Sequence, residues 1–200
     1  MQGLLFNSGA PSVDVRFRHI RHIQLSATAW VEHQSGWLTG HEQVFAHLRD
    51  TLRWREESRW MYEREVAVPR LVARIPDEGD AHPVLLDAME ALSNRYEWDL
   101  SRLAACYYRT GQDSVAEHGD KMGALRQDCV IGIVSVGTPR KLLLRPAKGG
   151  RARTFKLGWG DLFVMGGDTQ QSWLHGVPKQ PFAEPRISVQ FRPATSSQEL

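Results

Sequence analysis

The residues with the clearest chemical potential are His118-Gly119-Asp120 and, far downstream, His175 within Trp173-Leu174-His175-Gly176-Val177. Two imidazoles and one carboxylate can hold Fe(II) by one face, leaving three positions open for a substrate, a co-substrate and oxygen. Imidazole suits ferrous iron, and one carboxylate balances part of its charge. Residues two apart on a strand share a face, so an extended His118-x-Asp120 would aim both side chains at one ion. The triplet alone is weak, because most His-x-Asp triplets arise by chance, and a lone histidine before Gly-Val-Pro is more often a turn residue. The surroundings strengthen it. Arg186-Ile187-Ser188-Val189-Gln190-Phe191-Arg192 alternates as a strand does, with Arg186, Ser188, Gln190 and Arg192 on one face and Ile187, Val189 and Phe191 on the other. Such a strand can line a site with its polar face, and an arginine there can grip a carboxylate bidentately.

These residues, with their neighbours, resemble the AlkB family of Fe(II)- and 2-oxoglutarate-dependent dioxygenases. The resemblance rests on His118-x-Asp120, His175 and the Arg186 to Arg192 run, with supporting blocks in the family's order. Those blocks are Tyr108-x-x-Gly111, Ile133-Val134-Ser135-Val136-Gly137, Gly160-Asp161-Leu162-Phe163-Val164-Met165-Gly166-Gly167 and His175-Gly176-Val177-Pro178-Lys179. The resemblance covers about residues 64 to 193. The resemblance implies a double-stranded β-helix, or jelly roll, and an iron held by His118, Asp120 and His175. It gives the distal carboxylate of 2-oxoglutarate to Arg186 and places Tyr108, Ser188 and Arg192 beside the same co-substrate. With O2 the implied reaction oxidises an alkyl group on a nucleobase nitrogen in DNA or RNA, releasing formaldehyde, succinate and CO2. A base inside a duplex cannot reach a buried iron, so the nucleic acid would be single-stranded or present a flipped base. Two other readings stand beside this one: an oxygenase of the same fold acting on RNA, a modified nucleotide, a protein side chain or a small molecule, and a non-catalytic jelly-roll binding module.

Several positions depart from the family's pattern. Cys106 stands where asparagine is common, and Ser188 does likewise, although a hydroxyl can still donate a hydrogen bond. After Asp120 the chain continues Lys121-Met122-Gly123, whereas the better-known repair enzymes place acids there, suited to a cationic base. Val66-Ala67-Val68-Pro69-Arg70-Leu71 resembles a Pro-Arg block near the family's nucleotide-recognition lid, but the tyrosine-rich stretch that should follow is absent.

The elements that must position these residues read as α+β, mainly β. One domain of 200 residues is expected, with 1–100 as an N-terminal extension and lid region and 101–193 as the jelly-roll core. Apolar residues at 42% and charged residues at 24% are ordinary for a soluble globular chain, and a net charge of +2 does not by itself argue for nucleic acid. Cys106 and Cys129 form neither a metal spacing nor a disulfide framework. Leu4-Leu5-Phe6 is too short for a signal peptide, and no apolar run suits a membrane helix, so a cytoplasmic monomer is expected.

Arg16, Arg18, His19, Arg21 and His22 suit a solvated edge strand or a phosphate contact. Glu42–Thr51 and Pro83–Tyr96 read as helices, the second with Leu85, Leu86, Met89 and Leu92 on one side. Residues 53–74 mix arginine with Trp54, Trp60 and Tyr62, which fits either stacking on unpaired bases or amphipathic edge strands. Pro76-Asp77-Glu78-Gly79-Asp80 reads as a turn, and 195–200 as a tail. From Leu103 onward, short runs at Leu103–Tyr108, Val130–Gly137, Lys141–Arg145, Arg153–Leu157, Asp161–Met165 and Ile187–Arg192 suit two facing antiparallel sheets. Asp161 is expected to form a turn and Trp173 to pack in the core. Lys148, Arg151 and Arg153 flank Gly149-Gly150 in a hairpin-like loop that is either solvated or a phosphate contact.

Overall fold

A computed structural model describes residues 9–61, 64–75, 81–120 and 128–194, without the side chains of 58–67. The expected turn at Pro76 to Asp80, the Lys121-Met122-Gly123 stretch and the tail from Thr195 lie outside the described residues. Among the described residues fourteen strands and three helices follow in order. They are β1 (Ser12–Val13), β2 (Arg21–Gln24), β3 (Ala29–Gln34), β4 (Leu38–Thr39), α1 (His41–Thr51), β5 (Arg55–Met61), β6 (Arg64–Arg74) and α2 (Pro83–Tyr96). Then come β7 (Arg102–Tyr108), β8 (Val115–His118), β9 (Ile131–Gly137), β10 (Arg140–Pro146), β11 (Arg153–Leu157), β12 (Asp161–Gly167), α3 (Thr169–Ser172), β13 (Trp173–Val177) and β14 (Arg186–Arg192). A large antiparallel sheet runs β2-β3-β12-β9-β14-β7-β6-β5, and a small one runs β11-β10-β13-β8. The jelly-roll expectation is borne out.

Residue parity explains the layering. On β9, Val134 and Val136 join Leu162 and Val164 of β12 and Ile187, Val189 and Phe191 of β14 in a core with Val44, Leu48, Leu85, Ala88 and Leu92 of α1 and α2. The alternate residues Ile131, Ile133, Phe163 and Met165 turn the other way, onto Leu142, Leu144, Leu157, Trp173 and Val177 of the small sheet. A central strand covered on both faces loses its alternation and reads as a continuous apolar run. The polar face of β14 points to this second, inter-sheet side, where Arg186, Ser188 and Gln190 are buried.

Both predicted helices form. Pro83 occupies the first turn of α2, and His82 Nδ1 accepts the Val84 amide at 3.3 Å, satisfying one orphan donor. Its buried face is Val84, Leu85, Ala88 and Leu92, while Leu86 and Met89 are half-buried. The basic stretch leads into β2, an edge strand as expected, and β5 pairs antiparallel with β6 and closes the other edge. β1, β3, β4, β13 and α3 have no counterpart in the sequence reading, and β8 is anticipated only through the extended His118-x-Asp120. β8 is Val-Ala-Glu-His and β13 contains Gly176, so neither carries a β-branched run long enough to stand out. Among the described residues, no helix is long and apolar enough to cross a membrane.

The loops around the small sheet are held by a buried cation. Arg140, fully buried at the start of β10, donates to the carbonyls of Thr110 at 2.8 Å, Asp113 at 2.8 Å and Pro178 at 3.1 Å, and to Gln180 Oε1 at 3.1 Å. It thereby ties the β7–β8 loop to the β13–β14 loop. Gly111 sits where these loops touch: a Cβ there would collide with the Gln180 carbonyl. Arg140→Leu would leave buried acceptors unpaired at ~1–3 kcal/mol each. A loss of at least ~3 kcal/mol in urea unfolding is expected; an unchanged midpoint would show that water takes over these contacts.

Candidate active site

Strand pairing brings the two histidines together. β8 and β13 run antiparallel with His118 directly opposite His175, and their ring centroids lie 4.5 Å apart. Directly opposed residues project to the same face, which is how ligands distant in sequence converge. Asp120 joins them differently from the expectation of a shared strand face. β8 ends at His118, where its pairing with His175 also ends, and the Asp120 amide turns to Gln170 Oε1 at 3.4 Å. The carboxylate still arrives: its Oδ2 lies 4.0 Å from His175 Nε2, and one ligand atom from each of the three residues falls within 4.8 Å of the others.

The protonation states suit a metal. His118 Nδ1 donates to the Ala116 carbonyl at 2.8 Å, which leaves the lone pair on Nε2. Burial pushes His175 down to about 4, against the opposing pull of Asp120, so its imidazole is neutral and can coordinate. For Asp120 burial opposes ionisation, but Arg192, then His175 and a hydrogen bond from Arg192, outweigh it and hold the carboxyl below its ordinary value. Asp120 Oδ2 is buried with no hydrogen-bond partner among the described residues, the kind of orphan that a cation satisfies. Donor types, spacing and this orphan all fit a divalent ion.

Beside the triad lies a pocket walled by β7, β9 and β14. Arg186 pairs across the ladder with Tyr108, and Ser188 sits between Cys106 and Ser135. The Arg186 guanidinium is 2% exposed, lies 5.5 Å over the Tyr108 ring and donates to Ser135 Oγ at 2.6 Å. Among the described residues its Nε has no hydrogen-bond partner and no carboxylate lies within ion-pair distance. A buried cation left this way is costly unless an anion completes it, so Arg186 could hold a ligand carboxylate. Burial, then nearby Cys106, pushes the Tyr108 phenol up to about 12, which keeps it a donor. Ser188 Oγ accepts from Gln190 Nε2 at 2.6 Å. Arg192, expected beside the co-substrate, lines the same pocket but donates to Asp120 Oδ1 at 3.2 Å. Tyr108, Arg186, Ser188 and Arg192 are thus brought together with the triad.

Two residues of this wall are not singled out by the sequence: Ser135 and Arg70 lie within the quoted blocks, but nothing in their spacing marks a role, whereas Gln190 belongs to the polar face expected of β14. Cys106, noted only as a departure, has its thiol 3.8 Å from Gln190 Oε1, and burial keeps that thiol protonated. Arg70 is 7% exposed and borders both this pocket and a wider cleft of about 1170 Å³ that reaches His118 and Asp120. Arg53, Arg55, Arg74 and Arg192 line that cleft as well. Asp161, by contrast, is structural as expected, accepting from the amides of Gly36 at 3.0 Å and Gly158 at 3.3 Å, and Trp173 is core.

Comparison with known proteins agrees with this geometry. The profile of the 2OG-Fe(II) oxygenase superfamily matches residues 23–192. The bovine (Bos taurus) alpha-ketoglutarate-dependent dioxygenase alkB homolog 3 is 29% identical over 173 residues, covering 76% of this chain and 60% of that protein. The mouse (Mus musculus) protein of the same name is 30% identical over 137 residues, covering 62% and 48%. An uncharacterized protein, R406, of Acanthamoeba polyphaga mimivirus is 27% identical over 143 residues, covering 69% and 72%. The chain therefore spans 60% or less of the mammalian relatives' length. Among solved structures, OsALKBH1 superposes with a TM-score of 0.55 at 14% identity, covering 87% of this chain and all of that one, a likeness of fold.

Asp120→Ala should weaken Mn(II) binding, measured by calorimetry, by more than the roughly 10–100-fold that even outer-shell changes cost. Wild-type affinity in that variant would remove Asp120 from the ligand set. Arg186→Ala should weaken 2-oxoglutarate binding to the Mn(II)-loaded protein by roughly 100-fold, from ~3 kcal/mol of charge-assisted hydrogen bonding. An unchanged affinity would assign the co-substrate to another cation.

Proposed function

The chain belongs to the 2OG-Fe(II) oxygenase superfamily, and we propose that this AlkB-like member oxidatively removes alkyl groups from the nitrogens of nucleobases in DNA or RNA. The observation that carries the proposal is the arginine-lined cleft that opens onto His118 and Asp120. Arginine grips phosphate bidentately, and a cleft of about 1170 Å³ has room for a nucleotide. The substrate base would enter unpaired, either from a single strand or flipped out of a duplex.

The family's Fe(II) and 2-oxoglutarate, when bound, supply the oxidising power that turns O2 against an unactivated C–H bond. In the net reaction one oxygen atom ends in the new carboxylate of succinate and the other in the alkyl group, with CO2 lost from 2-oxoglutarate. The resulting N-hydroxymethyl group loses formaldehyde as its C–N bond breaks and a proton returns to the nitrogen. The protein's own residues bind and orient. His118, Asp120 and His175 hold the metal in the states that burial and Arg192 impose. Arg186, steadied by Ser135 and Tyr108, takes the distal carboxylate, with Ser188 and Arg192 along the co-substrate. Ile131, Ile133, Leu142 and Val177 make the rest of the pocket apolar and keep water out.

Formaldehyde should appear when single-stranded oligonucleotides carrying N-methylated adenine, cytosine, guanine or thymine are incubated with Fe(II), 2-oxoglutarate and ascorbate, and should vanish with Asp120→Ala. Succinate formed without formaldehyde from any of the four would rule out this substrate and keep the oxygenase.

A further inference from the structure

The cleft carries more positive charge than binding a phosphate needs, and its acids are already engaged. Arg53, Arg55, Arg70, Arg74 and Arg192 line it, against Glu57 and Asp120. Glu57 accepts from Arg70 Nη2 at 3.2 Å, and Asp120 accepts from Arg192 at 3.2 Å while its other oxygen faces His175. Among the described residues, Arg53, Arg55 and Arg74 form no ion pair. Bound Fe(II) and 2-oxoglutarate carry equal and opposite formal charges, so loading the site does not remove the arginine excess.

Arg70 defines how that excess meets the base. It sits on β6, whose Val72 and Arg74 pair with Cys106 and Ala104 of β7, and it borders both the metal pocket and the cleft. Its side chain is 8% exposed, with Nη2 on Glu57, yet its Nε is buried with no hydrogen-bond partner among the described residues. A buried guanidinium N–H of this kind needs an acceptor. An alkylated base whose substituent at C4 of a pyrimidine or C6 of a purine, beside the modified nitrogen, is a carbonyl offers one. A cationic base presents a positive charge and, at that position, an amino group that only donates.

We propose that this site selects N-alkylated bases that are neutral and carry a carbonyl, in place of an amino group, at C4 of a pyrimidine or C6 of a purine, such as N3-methylthymine or N1-methylguanine, over the cationic N3-methylcytosine and N1-methyladenine. The inference rests on the nucleic-acid reading above and specifies its substrate class. Like charges brought together in a partly desolvated cleft repel, whereas the carbonyl completes the orphan donor.

The test pairs bases of matched shape. Single-stranded oligonucleotides with one N3-methylthymine or one N3-methylcytosine are compared by fluorescence anisotropy on the Fe(II)- and 2-oxoglutarate-loaded protein without oxygen, and by formaldehyde release with oxygen. The neutral base should bind and turn over at least about tenfold better. That margin should narrow as salt is raised, because exposed rim charges are screened. Arg70→Gln, which keeps a donor and loses the charge, should shrink the ratio. Arg55→Glu, on the exposed rim, should shrink it without touching the buried wall and serves if Arg70→Gln fails to fold. Equal or better use of N3-methylcytosine in both measurements would overturn the inference and leave dealkylation standing. Succinate without formaldehyde from either base would overturn dealkylation, and this inference with it.

Discussion

Two buried guanidinium groups and the phenol ring near both constrain this structure more than any other contact. Arg140 lies 5.6 Å and Arg186 5.5 Å over the Tyr108 ring. A cation out of water must be repaid in hydrogen bonds, or the fold loses several kcal/mol. Arg140 is met by loop carbonyls, so satisfying it also fixes the loops that lead from β7 to β8 and from β13 to β14. Arg186 is met only in part, by Ser135. One cation holds the site's frame together, and the other is left waiting for an anion.

The large sheet makes this division possible. Because its central strands alternate, β9, β12 and β14 pack apolar side chains on two helices with one face and look into the jelly roll with the other. The apolar half of β14 anchors it in the core with α1 and α2. That anchoring holds Arg186, Ser188 and Gln190 in register with Tyr108, Cys106 and Ala104 on β7. Helix packing and site geometry are consequently two faces of the same strand. A slip of one residue would turn arginine into the helix layer and phenylalanine into the pocket.

Burial then sets the chemistry. It pushes His175 towards the neutral form and opposes the charge on Asp120, and Arg192 restores that charge. The two ligands thereby reach complementary states within 4.0 Å of each other. The same low-dielectric wall makes the Nε atoms of Arg70 and Arg186, unpaired among the described residues, significant, since an open donor there is expensive and an acceptor correspondingly welcome. The small sheet contributes the histidines and the large sheet the arginines, and the pocket exists only where the two sheets face each other.

Much of this was legible in the chain. Ligand chemistry is written in residue type, so His118, Asp120 and His175 stand out before any coordinates. Periodicity is local, so α1, α2, β11 and β14 could be read within a residue or so of their ends. Short strands such as β8 and β13 were not, because their pairing partner supplies the order that their own residues lack. Nor could sequence show that Asp120 reaches the triad from beyond its strand, or that Arg192 sits on that carboxylate. Arg70 was visible only as part of a Pro-Arg block, since its importance lies in being buried between two cavities with one donor unmet. Residue identity determined which chemistry is available here. Only tertiary structure decided which side chains share a dry wall, because burial, register and charge compensation are properties of neighbours brought together across sheets and not of any stretch read alone.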